Sequence, residues 1–349
     1  MFEYPEDALS CWRVAGGEPV RPLPDGGLIN NTWSVGTPPR FALQQVNAIF
    51  PPEIHDRIAL VSERLNQSGI PCPSLVATVE GAWTAPGPKG TAWRLMSWIP
   101  GTSFHRFPGP QHAFDAATLI GRFHKALLPL LDELEPLRAG AHDTPLHMAR
   151  LERTIAACSG HRLEAGICET AEAILNGWRR CRSVLPDGLP LRPAHGDLKA
   201  SNIRFDQEGV NAVALIDLDT LGRYSLDVEM GDAFRSWCNV AGEDDTTASF
   251  DPDVMAAGVQ GYLSTADFVL PEERAAFVPG TWRISLELAA RFCVDAFEER
   301  YFGWSEQVAP TRGDHNLLRA RGQLALARAI ESQRASLERV VLSAASRSS

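Results

Sequence analysis

The chain has 349 residues, 44% of them apolar and 22% charged, and its 43 acidic and 33 basic side chains leave a formal net charge of −10. That composition can build a core in one large domain or two modest ones, and no Lys/Arg-rich block offsets the negative balance. A general nucleic-acid binder is excluded, because its affinity would come mainly from neutralising phosphates. The first residues, Met1 to Asp7, offer neither the basic nor the apolar region of a secretion signal. No run approaches the ~20 apolar residues of a membrane span, so no membrane role is expected. The seven cysteines (Cys11, Cys72, Cys158, Cys168, Cys181, Cys238, Cys293) form no CxxC pair. Their odd number and wide spacing read as reduced, mostly buried thiols, and the compartment as the cytoplasm.

In chain order, the first hundred residues read as strand-rich. Residues 29–35 and 40–46 are short β-prone runs joined by Gly36-Thr37-Pro38-Pro39, a hairpin turn. Ile54, Ile58, Val61 and Leu65 mark one face of a helix over 53–67, which stops at Ser68-Gly69-Ile70-Pro71. Strands at 74–79 and 93–99 follow. After Pro100-Gly101 the period becomes helical, with Ala116, Ile120, Phe123, Leu127 and Leu131 in step, and helical segments run to residue 185. A compact region at 193–223 holds short strands at 203–205 and 213–216. From Leu226 the chain again reads as helix, with long stretches near 272–302 and 315–341, and the serine-rich tail, 343–349, reads as disordered. The simplest summary is an α+β chain in two lobes: a small β-rich lobe over 1–99 and a larger, mainly helical lobe over 100–349.

The segment richest in chemistry is His195-Gly196-Asp197-Leu198-Lys199-Ala200-Ser201-Asn202, followed fifteen residues after Asn202 by Asp217, itself preceded by the apolar run 212–216. Phosphoryl transfer needs a group that accepts or orients a hydroxyl proton, and oxygen ligands for Mg²⁺ on the phosphates. Asp197 suits the first task. Asn202 and Asp217 suit the second, since hard Mg²⁺ takes carboxylate and amide oxygens and keeps several waters. Lys199 either reaches a transferring phosphate or is a solvated surface lysine. His195 reads as a brace for the loop rather than as a catalyst.

This spacing resembles the kinase catalytic loop H-x-D-L-x-x-x-N with a downstream metal-binding Asp. Glycine between His and Asp is similar to the aminoglycoside phosphotransferase and choline kinase-like superfamily, whose fold is protein-kinase-like and two-lobed. Ile216-Asp217-Leu218-Asp219-Thr220, Gly231-Asp232-Ala233-Phe234-Arg235, Gly27 to Thr32, Phe41 to Asn47, Tyr301-Phe302 and His315 to Gln323 resemble its N-acetylhexosamine 1-kinase branch. The resemblance implies ATP and Mg²⁺ as cofactors and phosphorylation of an N-acetylated hexosamine at its anomeric hydroxyl. By the same resemblance Asp197 is the base, Asn202 and Asp217 the metal ligands, Asp219 a neighbour of substrate or metal, and Asp232 a brace for the catalytic loop. For Asp232 and Arg235 an ordinary structural role, a helix-start carboxylate in an ion pair, is the favoured reading.

Asp25 to Thr32 precedes a strand and could fold over ATP phosphates: Gly26 and Gly27 would let backbone N–H groups approach, while Asn30, Asn31 and Thr32 add donors. Taken alone it is a plain β-turn; the downstream loop favours the phosphate reading. Many members of the superfamily carry a lysine on the third strand, where this chain has Gln44, which donates a hydrogen bond but no charge. Glu63 on the next helix thereby loses its expected ion-pair partner. The backbone around Met96 and Trp98 is the expected adenine contact, or else an ordinary strand end. Phe292, Phe297, Tyr301, Phe302 and Trp304 form a sugar wall or simply core. Arg291, His315, Asn316 and Arg319 are the polar candidates for sugar contacts. The acceptor is a small molecule, with an aminoglycoside, choline, homoserine or another sugar as rivals and a nucleotide-binding pseudokinase as a further alternative. Asp244 and its acidic neighbours keep a polycationic acceptor open. The sequence leaves the oligomeric state open, with a monomer favoured.

Overall fold

The computed structural model describes residues 2–13, 17–23, 30–135, 141–242 and 244–347. The smaller lobe is an antiparallel sheet of β1 (Val20–Pro22), β2 (Asn31–Val35), β3 (Phe41–Val46), β4 (Leu75–Val76), β5 (Ala85–Pro86) and β6 (Ala92–Ser97). Their order is β1-β2-β3-β6-β4, with β5 also pairing with β6. The alternation of β2 and β3 buries Val35 and Leu43 on one face, where they meet Trp12, Trp93 and Leu95 beside the short helix α1 (Pro5–Ala8). On the other side lies α2 (Ile54–Gln67), whose Ile54, Ile58, Val61 and Leu65 are fully buried. Gly69, at φ +69°, turns the chain out of that helix as the Ile70 amide returns to the Leu65 carbonyl.

Strand pairing ends earlier than expected at two places. The predicted strand at 74–79 shortens to β4, because the chain turns at Thr78 to Gly81 and the Val79 amide bonds the Cys11 carbonyl. Strand β6 closes at Ser97, and one further bond, from the Trp98 amide to the Arg40 carbonyl at 2.9 Å, leads into the joint. Gly101 sits there at φ +126°, and a Cβ at this position would lie 1.9 Å from the Phe205 carbonyl oxygen. Only glycine lets the joint press so closely against the catalytic region, where Thr102 bridges to Phe205.

The larger lobe is built on α3 (Pro110–Leu127), α4 (Thr144–Ala157), α5 (Glu164–Arg182), α6 (Leu226–Trp237), α7 (Pro252–Leu263), α8 (Pro271–Ala275), α9 (Phe277–Glu298) and α10 (Arg312–Arg347). Helix α9 is its axis and packs against α4, α5, α6 and α10, while α3 packs on α7. The helix predicted at 272–302 is two helices broken at Ala276, and Glu299 at φ +49° ends the second. The tail expected to be disordered continues α10 to Arg347, held by Leu337, Val341 and Ala344, each no more than 3% exposed. Two small antiparallel sheets, β7 (Leu191–Ala194) with β10 (Gly222–Ser225) and the hairpin of β8 (Ile203–Phe205) with β9 (Ala212–Leu215), flank the segment 195–202. No helix among the described residues is long and apolar enough to cross a membrane.

Candidate active site

The segment after β7 is held from both ends. Glu229, in the first turn of α6, accepts the His195 amide at 2.7 Å and the Gly196 amide at 3.0 Å. His124 of α3 lies 3.1 Å from the same carboxylate and 2.9 Å from the Tyr262 hydroxyl, so three helices converge on one turn. Burial alone would raise the Glu229 pKa, but His124, the nearby His195 and the donated amide hold it below the ordinary carboxylate value. Gly196 stands at φ +78°, where an added Cβ would lie 2.5 Å from the Thr220 carbonyl oxygen, so only glycine fits between Glu229 and the next turn. His195 is fully buried with Nε2 2.9 Å from the Ile216 carbonyl, while Trp237 Nε1 donates to the Leu198 carbonyl and the Ser236 hydroxyl accepts the Ala200 amide. The brace expected at Asp232 is therefore made one helical turn earlier, at Glu229. Asp232 makes the ion pair with Arg235 that was the favoured expectation, through Oδ1 at 2.9 Å, and its Oδ2 is buried with no partner among the described residues.

Asp197 keeps one oxygen clear. Lys199 Nζ donates to Oδ2 at 2.7 Å and Asn202 Nδ2 donates to the same oxygen at 2.9 Å, with no donor to Oδ1 among the described residues. Burial pushes its pKa up, yet Lys199, His195 and Arg235 together bring it below the ordinary value. The Lys199 ammonium is correspondingly pushed up, burial being outweighed by Asp197 and Asp217. Asn202 also donates to the Asp197 carbonyl at 2.9 Å. Its nitrogen is thus committed to the loop, and its carbonyl oxygen is the ligand-capable atom. Asp217 takes the left-handed conformation (φ +64°, ψ +60°), uncommon for a residue with a Cβ. It accepts no hydrogen bond from the described residues, and burial together with the Asp219 charge pushes its carboxyl up to about 6. A ligand-free carboxylate and an amide oxygen suit Mg²⁺, which fills its shell with phosphate oxygens and water. Among the described residues no three His, Cys, Asp or Glu side chains make a self-sufficient metal cage.

The roof of the cleft differs from expectation. Asp219 does not face an open pocket: it is 3% exposed, with Arg94 Nη1 and Nη2 at 2.6 and 3.0 Å and Asn30 Nδ2 at 2.7 Å. Gln44 accepts from Arg94 Nε at 2.8 Å and donates to Thr32 Oγ1 at 3.2 Å, and Asn30 Oδ1 accepts the Asn47 amide. Asn31 is exposed and bonds Gln45. Glu63 is exposed and accepts from Gln67, without a basic partner among the described residues. Gly26 and Gly27 lie outside the described residues. Met96 pairs with Ala42 on one side and Leu75 on the other, and Trp98 stacks under the Arg204 guanidinium at 5.8 Å.

The four polar residues expected at the sugar lie in one cluster, but two are closed off. His315 is 1% exposed, with Nε2 2.9 Å from Asp244 and Nδ1 accepting the Ser305 amide. Asn316 is fully buried and donates to Asp295, whose carboxylate also receives the amides of Arg300, Tyr301 and Phe302. They are corrected to supports: the carboxylate that shapes the 300–302 turn must be buried, and Asn316 satisfies it. Arg319 bonds Asp244 and the Gly303 carbonyl and lies over Phe292. Arg291 lies over Phe302 at 5.6 Å and Tyr301 at 6.0 Å, with no hydrogen-bond partner among the described residues. Of the aromatic wall, Phe292 is buried and Tyr301 exposed, so the group is part core and part surface.

Sequence reasoning missed His142 and Glu287. His142, at φ +52°, places Nδ1 3.1 Å from Glu287 and Nε2 3.2 Å from the Gly196 carbonyl, linking α9 to the catalytic loop. The Thr144 hydroxyl donates to the other Glu287 oxygen at 2.5 Å. No local spacing announces these contacts, which span more than fifty residues. Burial pulls the His142 pKa down, but the Glu287 hydrogen bond and charge lift it above the ordinary value. Burial would raise the Glu287 pKa, yet His142 takes it down to about 2 from an ordinary 4.5. A depressed carboxylate stabilises the fold above its unfolded pKa, and that contribution is lost as pH falls from about 4.5 towards 2. His142 acts oppositely, its contribution fading as pH rises through a folded value above 6.5. Thermal melts between pH 6 and 3 should fall less steeply for Glu287→Gln than for the wild type; parallel profiles would refute this link.

Residues 20–271 match the phosphotransferase enzyme family. An aminoglycoside phosphotransferase from Alicyclobacillus acidocaldarius is 14% identical, with 97% of this chain and 98% of that one covered and a TM-score of 0.57. A choline/ethanolamine kinase family protein from Mesorhizobium loti is 16% identical, with 97% of each chain covered and a TM-score of 0.58. An amicoumacin kinase, solved with AMP-PNP, Ca²⁺ and its ligand, is 14% identical, with 92% and 91% covered and a TM-score of 0.60. These structures share the two-lobed, protein-kinase-like fold.

Proposed function

This chain belongs to the phosphotransferase enzyme family, and on that footing we propose that it is a Mg-ATP-dependent kinase of an N-acetylated hexosamine, acting at the anomeric hydroxyl. The observation that carries the kinase reading is the division of labour around Asp197. Oδ2 is taken by Lys199 and Asn202, so the acceptor hydroxyl meets Oδ1. As the hydroxyl oxygen attacks the γ-phosphorus, the bond to the bridging oxygen breaks with its electron pair leaving on ADP, and the hydroxyl proton passes to Asp197 Oδ1. With its pKa held down, Asp197 orients the hydroxyl and takes the proton late, as suits a loose transition state. Asn202 and Asp217 would hold Mg²⁺, which supplies charge neutralisation at the phosphates. Lys199, 41% exposed and next to Asp197, is placed to offset charge on the moving phosphoryl group.

Support for a sugar comes from sequence likeness and from the cluster at the end of α9. Tyr301 with Arg291 offers an apolar face beside a donor, and Arg319 adds a second cation nearby. Asp244 neutralises Arg319, which leaves Arg291 as the cation of this cluster without a hydrogen-bonded counter-charge among the described residues. The buried thiols, with Cys72, Cys181 and Cys293 pushed up to about 12 by burial, suit a reducing cytoplasm. A coupled ADP-release assay with Mg-ATP against N-acetylglucosamine, N-acetylgalactosamine, glucose, kanamycin, choline and homoserine tests the reading. Turnover is expected on an N-acetylhexosamine. Turnover confined to another acceptor would keep the kinase and overturn the sugar.

A further inference from the structure

Arg94 and Asp219 form an ion pair in which each side chain is only 1% exposed. Their residues come from opposite lobes: Arg94 from the central strand β6, Asp219 from the turn two residues after Asp217. Arg94 stands directly opposite Gln44 in the β3–β6 register, so both side chains leave the same face of the sheet. A chain of hydrogen bonds then fixes the guanidinium plane: Thr32 to Gln44, Gln44 to Arg94 Nε, and both terminal nitrogens to the two oxygens of Asp219. Asn30 adds a further donor to Asp219 from β2's leading edge.

Stability is a poor explanation for such a pair. Desolvating two charges cancels much of their attraction, and an apolar pair of the same volume would often serve the fold as well. What an apolar pair could not do is hold an adjacent carboxylate to an orientation. Asp217 lies in a left-handed conformation that its turn must enforce, and nothing among the described residues bonds its carboxylate. The turn is tied on one side by the Ile216 amide to the Asn202 carbonyl and on the other by the Thr220 hydroxyl to the His195 carbonyl. Between those ties, the Arg94 fork, with one further bond from Asn30, anchors the turn to the roof. The helix across the roof supplies no carboxylate to Arg94, because Glu63 points into solvent.

We infer that Arg94 is a positioning residue for the metal and phosphate site: acting through Asp219, it holds Asp217 in its left-handed conformation and ties the roof of the cleft to the proposed metal-binding turn. The inference rests on the kinase reading for its metal, but not for its geometry. Gln44 then aims the arginine instead of meeting phosphate itself, and the positive charge of the roof enters from β6.

The test uses the full chain with Arg94→Gln, Arg94→Lys and Asp219→Asn, and two readouts that need no acceptor. The first is amide hydrogen exchange of residues 217–221 in ligand-free protein. The second is the Mg²⁺ concentration giving half-maximal binding of AMP-PNP. Arg94→Gln should speed exchange and raise the Mg²⁺ requirement by about tenfold, the usual cost of losing an outer-shell partner. Arg94→Lys should recover only part, since one ammonium cannot replace a bidentate fork. If Arg94→Gln does not fold, Asp219→Asn carries both readouts. Wild-type exchange and an unchanged Mg²⁺ requirement in either folded variant would overturn the inference, even with a lowered melting temperature. Failure of the wild type to bind Mg-AMP-PNP would instead defeat the kinase reading, and the exchange readout alone would then decide the role of Arg94.

Discussion

Asp197→Asn should lower turnover on whichever acceptor the panel identifies by about 10³-fold, within the range measured for removal of a positioned proton acceptor. The amide keeps the shape and can still accept from Asn202 and Lys199, so the loop should stay in place. What disappears is the charge that draws the hydroxyl proton to Oδ1. Affinity for Mg-AMP-PNP should change little, because the nucleotide ligands proposed here, Asn202 and Asp217, are untouched. The pairing of a lost rate with retained nucleotide binding separates the role of Asp197 from a general disturbance. A variant with more than a tenth of the wild-type rate would remove Asp197 from the chemistry.

Glu229→Ala should be the most damaging single change outside the reacting groups. It strands the buried amides of His195 and Gly196, leaves His124 without its carboxylate and opens a void under the loop. Unsatisfied buried donors cost about 1–3 kcal/mol each, so a loss on the order of 4 kcal/mol is expected. Denaturant midpoints give that number directly, with an unchanged slope if only the folded state is affected. Glu229→Gln retains one acceptor oxygen and should fall between wild type and alanine. Both variants should also lose rate, because the displaced segment carries Asp197. Wild-type midpoints together with wild-type turnover would mean that α6 does not brace the loop.

The segment 195–202 was legible because its pattern is local. Asp197 and Asn202 are five residues apart, and the backbone of a short loop brings them together whatever the rest of the chain does. Asp217 was legible for a related reason: an apolar strand ends just before it, and a hairpin returns that strand end to the loop. Periodicity also placed α2, the β2–β3 hairpin and α3, since each buries one face and its spacing records which. It failed at the short β4 and at Ala276, where one backbone amide or one helix break outweighs the apolar pattern.

The sequence by itself therefore indicated the two-lobed architecture and singled out Asp197, Asn202 and Asp217 as oxygen-bearing groups of one compact region, because that juxtaposition depends on neighbours within one loop or one hairpin. Only the tertiary structure decided which buried polar groups are spent on the fold. Residue type names Asp219, His315 and Asn316 as chemically able, but partners 71 to 189 residues away engage the first two, and Asn316 is buried with its amide nitrogen on Asp295. The same long-range packing makes Glu229 the brace in place of Asp232, one turn of α6 away, and seats the roof's buried cation at Arg94 opposite Gln44. A buried charge must find its counter-charge in space, and that distance is not written in any local spacing.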